Sequence, residues 1–231
     1  MKNEIKALLR DSGMDQGESK NNGNGIVHKD QRYLYRQRFS TPTSDLINLE
    51  IVGEEHHFYY GQPWSKGLTT LGMMKELGLE TCSKVLEFGC GSLRNGIHLI
   101  RFLDKGNYYG SDIDVNSIYA GISYEMSMHH LFDKKPVIKL DGNFGISFID
   151  KKVDFVLATS VFKPHLSVEL LTQAFQNSWN ILEPSGKLII AGNNVTQCIP
   201  KDKFHMINKL QYKDMWGSWK VWVFQKMHPK R

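Results

Sequence analysis

Between residues 84 and 192, five short apolar runs alternate with stretches of helical spacing, and this alternation constrains the fold more than any other feature. The runs are KVLEFG (84–89), NYYGSD (107–112), PVIKLD (136–141), VDFVLATS (153–160) and KLIIAG (187–192). Helices are expected over LTTLGMMKELGL (68–79), which closes on Gly78, and over 95–103, 115–131 and 167–182. A Glu183-Pro184-Ser185-Gly186 turn ends the last of them. Short apolar runs separated by helices predict βαβ units and a parallel sheet buried on both faces. The tail differs. FHMINKLQY (204–212) and GSWKVWVFQK (217–226) read as two strands close enough to form a hairpin. The expected architecture is α/β, a three-layer, mostly parallel sheet with a C-terminal antiparallel hairpin.

At 231 residues, the chain has room for one domain, expected over 41–231, and an appendage over 1–40. Residues 12–25 hold four glycines and three asparagines with no aromatic or β-branched residue, so they cannot bury enough apolar surface to offset their ordering entropy. The extension therefore reads as basic and partly disordered. RYLYRQRF (32–39), basic and aromatic by turns, reads as a short amphipathic element docking on the core, with contact to phosphate and bases as the alternative. Charge concentrates at the ends: residues 1–40 carry +3 and 201–231 carry +6, which leaves the middle at −4. An acidic body with basic ends is unlike a dedicated nucleic-acid-binding domain. No apolar run reaches the roughly 18–20 residues that span a bilayer, and the N-terminus lacks the apolar core of a secretory signal. Three cysteines without a CxxC pair fit a reducing compartment, hence a cytoplasmic protein, and argue against a disulfide scaffold. No His or Cys spacing suggests a metal site.

The chemistry concentrates in Val85-Leu86-Glu87-Phe88-Gly89-Cys90-Gly91-Ser92-Leu93-Arg94-Asn95-Gly96. A buried strand ends in an acid, then two glycines spaced by one residue, then a helix. Glycines here let the backbone turn sharply and approach a ligand at the carboxyl end of the sheet, where open parallel sheets bind. Asp112, 25 positions after Glu87, ends the second strand in Asp112-Ile113-Asp114, and Asp141 ends the third, followed by Gly142. Any one of these acids alone reads as a helix cap or a solvated charge. Three acids at consecutive strand ends suit a ligand with ribose hydroxyls, an adenine amine and cationic groups. A nicotinamide dinucleotide fits poorly, because position 94 is Arg where its fingerprint needs a glycine, and Glu87 would repel a pyrophosphate. The cofactor that matches is S-adenosylmethionine.

The sequence resembles the class I, seven-stranded S-adenosylmethionine-dependent methyltransferases. VLEFGCGSLRNG looks like their first motif, YYGSDID their second, LDGNF their third and VDFVLATSVF their fourth, and LEPSGKLIIAG is similar to their strand-five region. The resemblance covers residues 66–226, with the motifs in family order. It implies a Rossmann-like sheet in which Glu87, Gly89, Cys90 and Gly91 hold the cofactor's amino-acid end. It further implies that Asp112, or Asp114 in an alternative register, grips the ribose, that Ile113 packs on the adenine, and that Asp141 and Gly142 flank the base. Thr159 and Ser160 would line the path of the methyl group. The family's common third glycine falls at Leu93, which implies a loop of different shape beyond Gly91.

Methyl transfer needs an acceptor placed about 3–3.5 Å from the methyl carbon and, for a hydroxyl, a base. His165, just beyond the fourth strand, is the candidate general base. His56, His57, Phe58, Tyr59, Tyr60 and Trp64 precede the first motif and read as packing under a loop or as a wall over the site. His129 and His130, late in a helix, read as partners of its dipole. The segment Ala158-Thr159-Ser160-Val161-Phe162 lacks the Asn/Asp-Pro-Pro-Tyr/Phe signature of DNA amino-methylating enzymes. The expected activity is O-methylation of a small metabolite or sugar hydroxyl. The alternatives are an RNA or protein methyltransferase using the basic termini, and a non-catalytic S-adenosylmethionine-binding module.

Overall fold

The computed structural model describes residues 66–162, 166–192, 195–214 and 217–227. The expectations placed on residues 1–65 and on His165 lie outside the described residues. Helix α1 (Leu68–Glu76) is followed by strand β1 (Val85–Phe88), helix α2 (Gly96–Phe102) and strand β2 (Tyr108–Asp112). Helix α3 (Val115–Ala120) runs into a π-helical turn (Gly121–Met126), then come β3 (Val137–Leu140) and β4 (Val153–Thr159). Helix α4 (Val168–Ile181), β5 (Leu182–Ala191), β6 (Phe204–Asp214) and β7 (Gly217–Lys226) complete the order.

The seven strands form one sheet in the order β3-β2-β1-β4-β5-β7-β6. β1 to β5 pair in parallel, and β7 runs antiparallel to both β5 and β6. β1 lies between β2 and β4, so the chain reverses its direction of travel across the sheet there. Such a switch point opens a crevice at the carboxyl ends of the strands.

Both faces are covered. Met73 and Met74 of α1 with Ile97, Leu99 and Ile100 of α2 pack against Val85, Leu157, Ile189 and Val223. On the other face Leu171, Ala174 and Phe175 of α4 meet Phe88, Val156, Leu188 and Trp222. A ladder of edge-to-face rings, Phe88–Phe144–Phe162–Phe175, with centroids 5.2–5.4 Å apart, runs through this second layer. Edge-to-face contact aligns ring quadrupoles and adds to the burial energy.

Local chemistry explains the element ends. After α1 the Gly78 N–H bonds Lys75 O and the Leu79 N–H bonds Met74 O, with Gly78 at φ +94°, a Schellman stop. Ser167 caps α4 by accepting from the Leu170 N–H at 3.2 Å. Two expected boundaries change. The helix expected over 115–131 is regular only to Ala120 and then widens into the π-helical turn. At that point a Cβ on Gly121 would sit 2.9 Å from Leu93 Cγ, so the helix can press onto the glycine loop only at this residue. The expected 183–186 turn lies inside β5: Val153 pairs with Leu182 and Phe155 with Lys187, so the intervening residues bulge out without ending the strand.

Candidate functional site

The loop after β1 is shaped by residues with positive φ. Gly89 has φ +67°, and a Cβ there would lie 2.1 Å from Val161 Cγ2, so no side chain fits. The Gly89 and Cys90 amides both donate to Ser111 O, at 2.7 and 3.0 Å, which sews the loop to the tip of β2. Gly91 has φ +53°, and a Cβ there would meet only Asp112 Oδ2, at 3.9 Å, which leaves the main chain bare on that side. Leu93, where the related pattern has glycine, takes a left-handed φ of +68° with its side chain 1% exposed. The loop thus holds at this position a backbone conformation that glycine favours, and the leucine fills the space between the Gly96 and Gly121 backbones.

Glu87, next to last in β1, lies in the interior, 1% exposed. Its Oε1 accepts from Asn95 Nδ2 at 2.7 Å and its Oε2 from the Tyr108 hydroxyl at 2.7 Å. Burial pushes its pKa from 4.5 to about 7, against the opposing pull of these two hydrogen bonds. Burial, together with the nearby Glu87 and Asp112 carboxyls, also raises the Cys90 thiol well above its usual range.

Asp112 ends β2 facing the loop. Its Oδ2 accepts from the Gly91 N–H at 2.7 Å and its Oδ1 from the Asp114 N–H at 2.8 Å. Desolvation raises its pKa, with the backbone bonds opposing. The Ile113 amide also bonds this carboxylate, so of its roughly four lone-pair positions about one remains for a ligand. Asp114 is committed differently: its Oδ1 accepts from the Asn116 N–H and its Oδ2 from the Ser117 hydroxyl, as the cap of α3. At the tip of β3, Asp141 folds back on its own loop and accepts from the Asn143 and Gly145 amides. Ile113 is 75% exposed, and a Cβ on Gly142 would lie 2.8 Å from its Cδ1, so the two residues form one apolar shelf beside the acids.

Across the switch point, Thr159 Oγ1 lies 3.4 Å from Asn95 Nδ2. Ser160 is exposed and holds φ +60°, with its N–H donating to Ala191 O at 2.8 Å. Gly192, at φ +102°, accommodates its hydroxyl, since a Cβ there would be 3.0 Å from Ser160 Oγ. Glu87, Gly89, Cys90, Gly91, Asp112, Thr159 and Ser160 therefore converge on the β1/β4 crevice and its β2 flank. Ile113, Asp141 and Gly142 sit one strand further out. His129, at the end of the helix that α3 begins, has its Nδ1 3.1 Å from Arg101 Nη2 and its Nε2 3.5 Å from Glu125 Oε2. Asn95 and Tyr108, the partners of Glu87, were missed in the sequence. The available signal was that a buried acid at a strand tip requires donors, and both residues are polar groups on adjoining elements.

Several solved structures share this architecture. TrmN from Thermus thermophilus matches with a TM-score of 0.59 at 14% identity, over 70% of this chain and 49% of that one. The magnesium protoporphyrin IX methyltransferase ChlM from Synechocystis, with bound SAM, gives 0.58 at 13% identity, covering 87% of this chain and 99% of that one. The N-methyltransferase NodS from Bradyrhizobium japonicum, in complex with S-adenosyl-L-homocysteine, gives 0.56 at 12%, covering 71% of this chain and 86% of that one. The fold is that of the class I methyltransferases. This chain spans about half the length of TrmN. No protein-family model and no curated protein sequence matches it. Among the described residues, this methyltransferase fold contains no cluster of three or more metal-ligating side chains and no helix long and apolar enough to cross a membrane.

Proposed function

We propose that the chain is an S-adenosylmethionine-dependent methyltransferase. One observation carries this reading: the buried Glu87, the bare main chain at Gly91 and the Asp112 carboxylate meet at the topological switch point of the sheet. The donor set fits the cofactor, since acidic groups and open main chain suit a cationic nucleoside and repel a pyrophosphate. Glu87, Gly89, Cys90 and Gly91 would hold its amino-acid end, Asp112 its ribose, and Asp141 with the Ile113–Gly142 shelf its adenine. Asp112 is preferred to Asp114 because it lies against the bare main chain of Gly91, while Asp114 turns back to cap α3. When bound, the cofactor supplies an electrophilic methyl group on a good leaving group. The remaining work falls to the protein. Thr159 and Ser160 border the space where an acceptor would approach the methyl group.

The acceptor favoured by the sequence is a hydroxyl on a small metabolite or sugar, with His165 removing its proton. An RNA or protein acceptor held by basic termini is the second enzymatic reading. Calorimetric titration with S-adenosylhomocysteine should give saturable heat, and Asp112→Ala should weaken binding by about 2–4 kcal/mol, since charged hydrogen bonds are worth about 1.5–3 kcal/mol each. Absence of saturation on folded protein would remove the cofactor reading. Release of S-adenosylhomocysteine from S-adenosylmethionine with an acceptor panel separates an enzyme from a binding module. Steep loss of acceptor binding with added salt would favour RNA over a small neutral acceptor.

A further inference from the structure

Asn95 follows the glycine loop at the start of α2 with only 2% of its surface exposed. Its Nδ2 donates to Glu87 Oε1 at 2.7 Å and lies 3.4 Å from Thr159 Oγ1, so the amide spans the tips of β1 and β4. Its Oδ1 has no hydrogen-bond donor among the described residues. Buried side-chain acceptors are almost always satisfied, so one left open at the switch point of the sheet implies a donor that arrives with a ligand. Above pH 7, where Glu87 is ionised, the amide is not free to turn over. Reversing it would set Oδ1 against a carboxylate oxygen whenever Glu87 is ionised, lone pair against lone pair. Glu87, in turn, is sealed: Asn95 holds one oxygen, Tyr108 holds the other, and almost none of the residue reaches the surface. A buried acid closed off in this way acts on a ligand most readily through the group it orients.

We propose that Asn95 Oδ1 accepts a hydrogen bond from the ammonium group of the cofactor's amino-acid end, and that Glu87, braced by Tyr108, is the positioning residue that keeps that oxygen turned toward the ligand. The inference rests on the S-adenosylmethionine reading and refines it by assigning the ammonium contact to a side chain at the start of α2, beyond the residues Glu87 to Gly91 that the resemblance implies. Recognition of a primary ammonium then depends on the orientation of one amide. Nucleosides that lack the amino-acid end gain nothing from it.

Two commercially simple probes separate the terms. S-adenosylhomocysteine and 5′-methylthioadenosine share the adenosine and the thioether, and only the first carries the ammonium. Both are titrated calorimetrically into the full-length wild-type chain, Asn95→Ala and Glu87→Gln. Asn95→Ala should weaken S-adenosylhomocysteine roughly tenfold or more and leave 5′-methylthioadenosine within about twofold, as expected for loss of one charge-assisted hydrogen bond. Glu87→Gln keeps the packing and places an amide donor opposite Asn95, letting Oδ1 turn inward, so it should show the same selective loss. Equal losses for both ligands would mean that Asn95 only shapes the loop, and would overturn the proposal. So would unchanged affinity for S-adenosylhomocysteine in both variants. If Asn95→Ala fails to fold, the near-isosteric Asn95→Leu with a native circular dichroism spectrum takes its place, because it removes the same oxygen and leaves Glu87 in position. Wild-type protein that binds neither probe overturns the cofactor reading and this inference with it, whereas wild-type binding of both with unselective variants overturns this inference alone.

Discussion

Replacing Glu87 by glutamine should make the ligand-free protein more stable at alkaline pH, and the size of the gain follows from burial. The carboxyl is 1% exposed, and its pKa rises from 4.5 to about 7 because ionisation there is opposed by desolvation. The native state therefore holds this proton more tightly than the unfolded chain does. Below pH 4.5 both states are protonated, and the contribution to stability is fully present. Between pH 4.5 and 7 the unfolded chain ionises first, so stability falls as pH rises, and it levels off above 7. The displacement from 4.5 to about 7 corresponds to about 3 kcal/mol at pH 8. A glutamine is neutral throughout and can still accept from Tyr108 while donating to Asn95 Oδ1; Asn95 Nδ2 then gives up its carboxylate partner, so the full displacement is the upper bound of the gain. Urea unfolding followed by tryptophan fluorescence should show the variant and the wild type within about 1 kcal/mol of each other at pH 4.5. At pH 8 the variant should lead by up to about 3 kcal/mol. Glu125 is also pushed to about 7 by burial, but it remains in both proteins and cancels in the comparison. Parallel stability profiles across this range would refute the argument, because they would mean that Glu87 ionises in the fold as easily as in the unfolded chain. The stabilised variant should be the poorer binder of S-adenosylhomocysteine, the expected trade between stability and function at a strained site.

Gly89→Ala should destabilise the protein by at least about 2 kcal/mol through left-handed strain and overpacking; a Cβ there would lie 2.1 Å from Val161 Cγ2, so the double variant with Val161→Ala should recover part of the loss in the same unfolding assay, and no recovery would reject the clash. Leu93→Gly relieves about 1–2 kcal/mol of left-handed strain but empties a buried site at a cost of about 2–5 kcal/mol, so the melting temperature should fall, and a rise would show that strain outweighs packing. His165→Ala should lower turnover on a hydroxyl acceptor at neutral pH while S-adenosylhomocysteine affinity stays within twofold, because a base acts in the transition state. Retained turnover would move the base elsewhere or dispense with it.

The sequence alone determined the alternation of strand and helix, the antiparallel tail and the placement of glycines and acids at strand tips. These are local properties: periodicity decides which side chains can be buried, and a glycine next to a strand end marks where the backbone can turn tightly. The tertiary structure decided what depends on neighbours distant in the chain. The partners of Asp112 and Asp114 are an example: Asp112 accepts from Gly91 across the loop whereas Asp114 caps its own helix, and the two positions read alike along the chain. The π-helical turn at Gly121 arises where that helix meets Leu93, and the bulge inside β5 arises from its register with β4. Glu87 was legible as an acid at a strand tip, yet its seal by Asn95 and Tyr108 was not, because a buried charge finds its donors by three-dimensional proximity, and spacing along the chain carries no record of that.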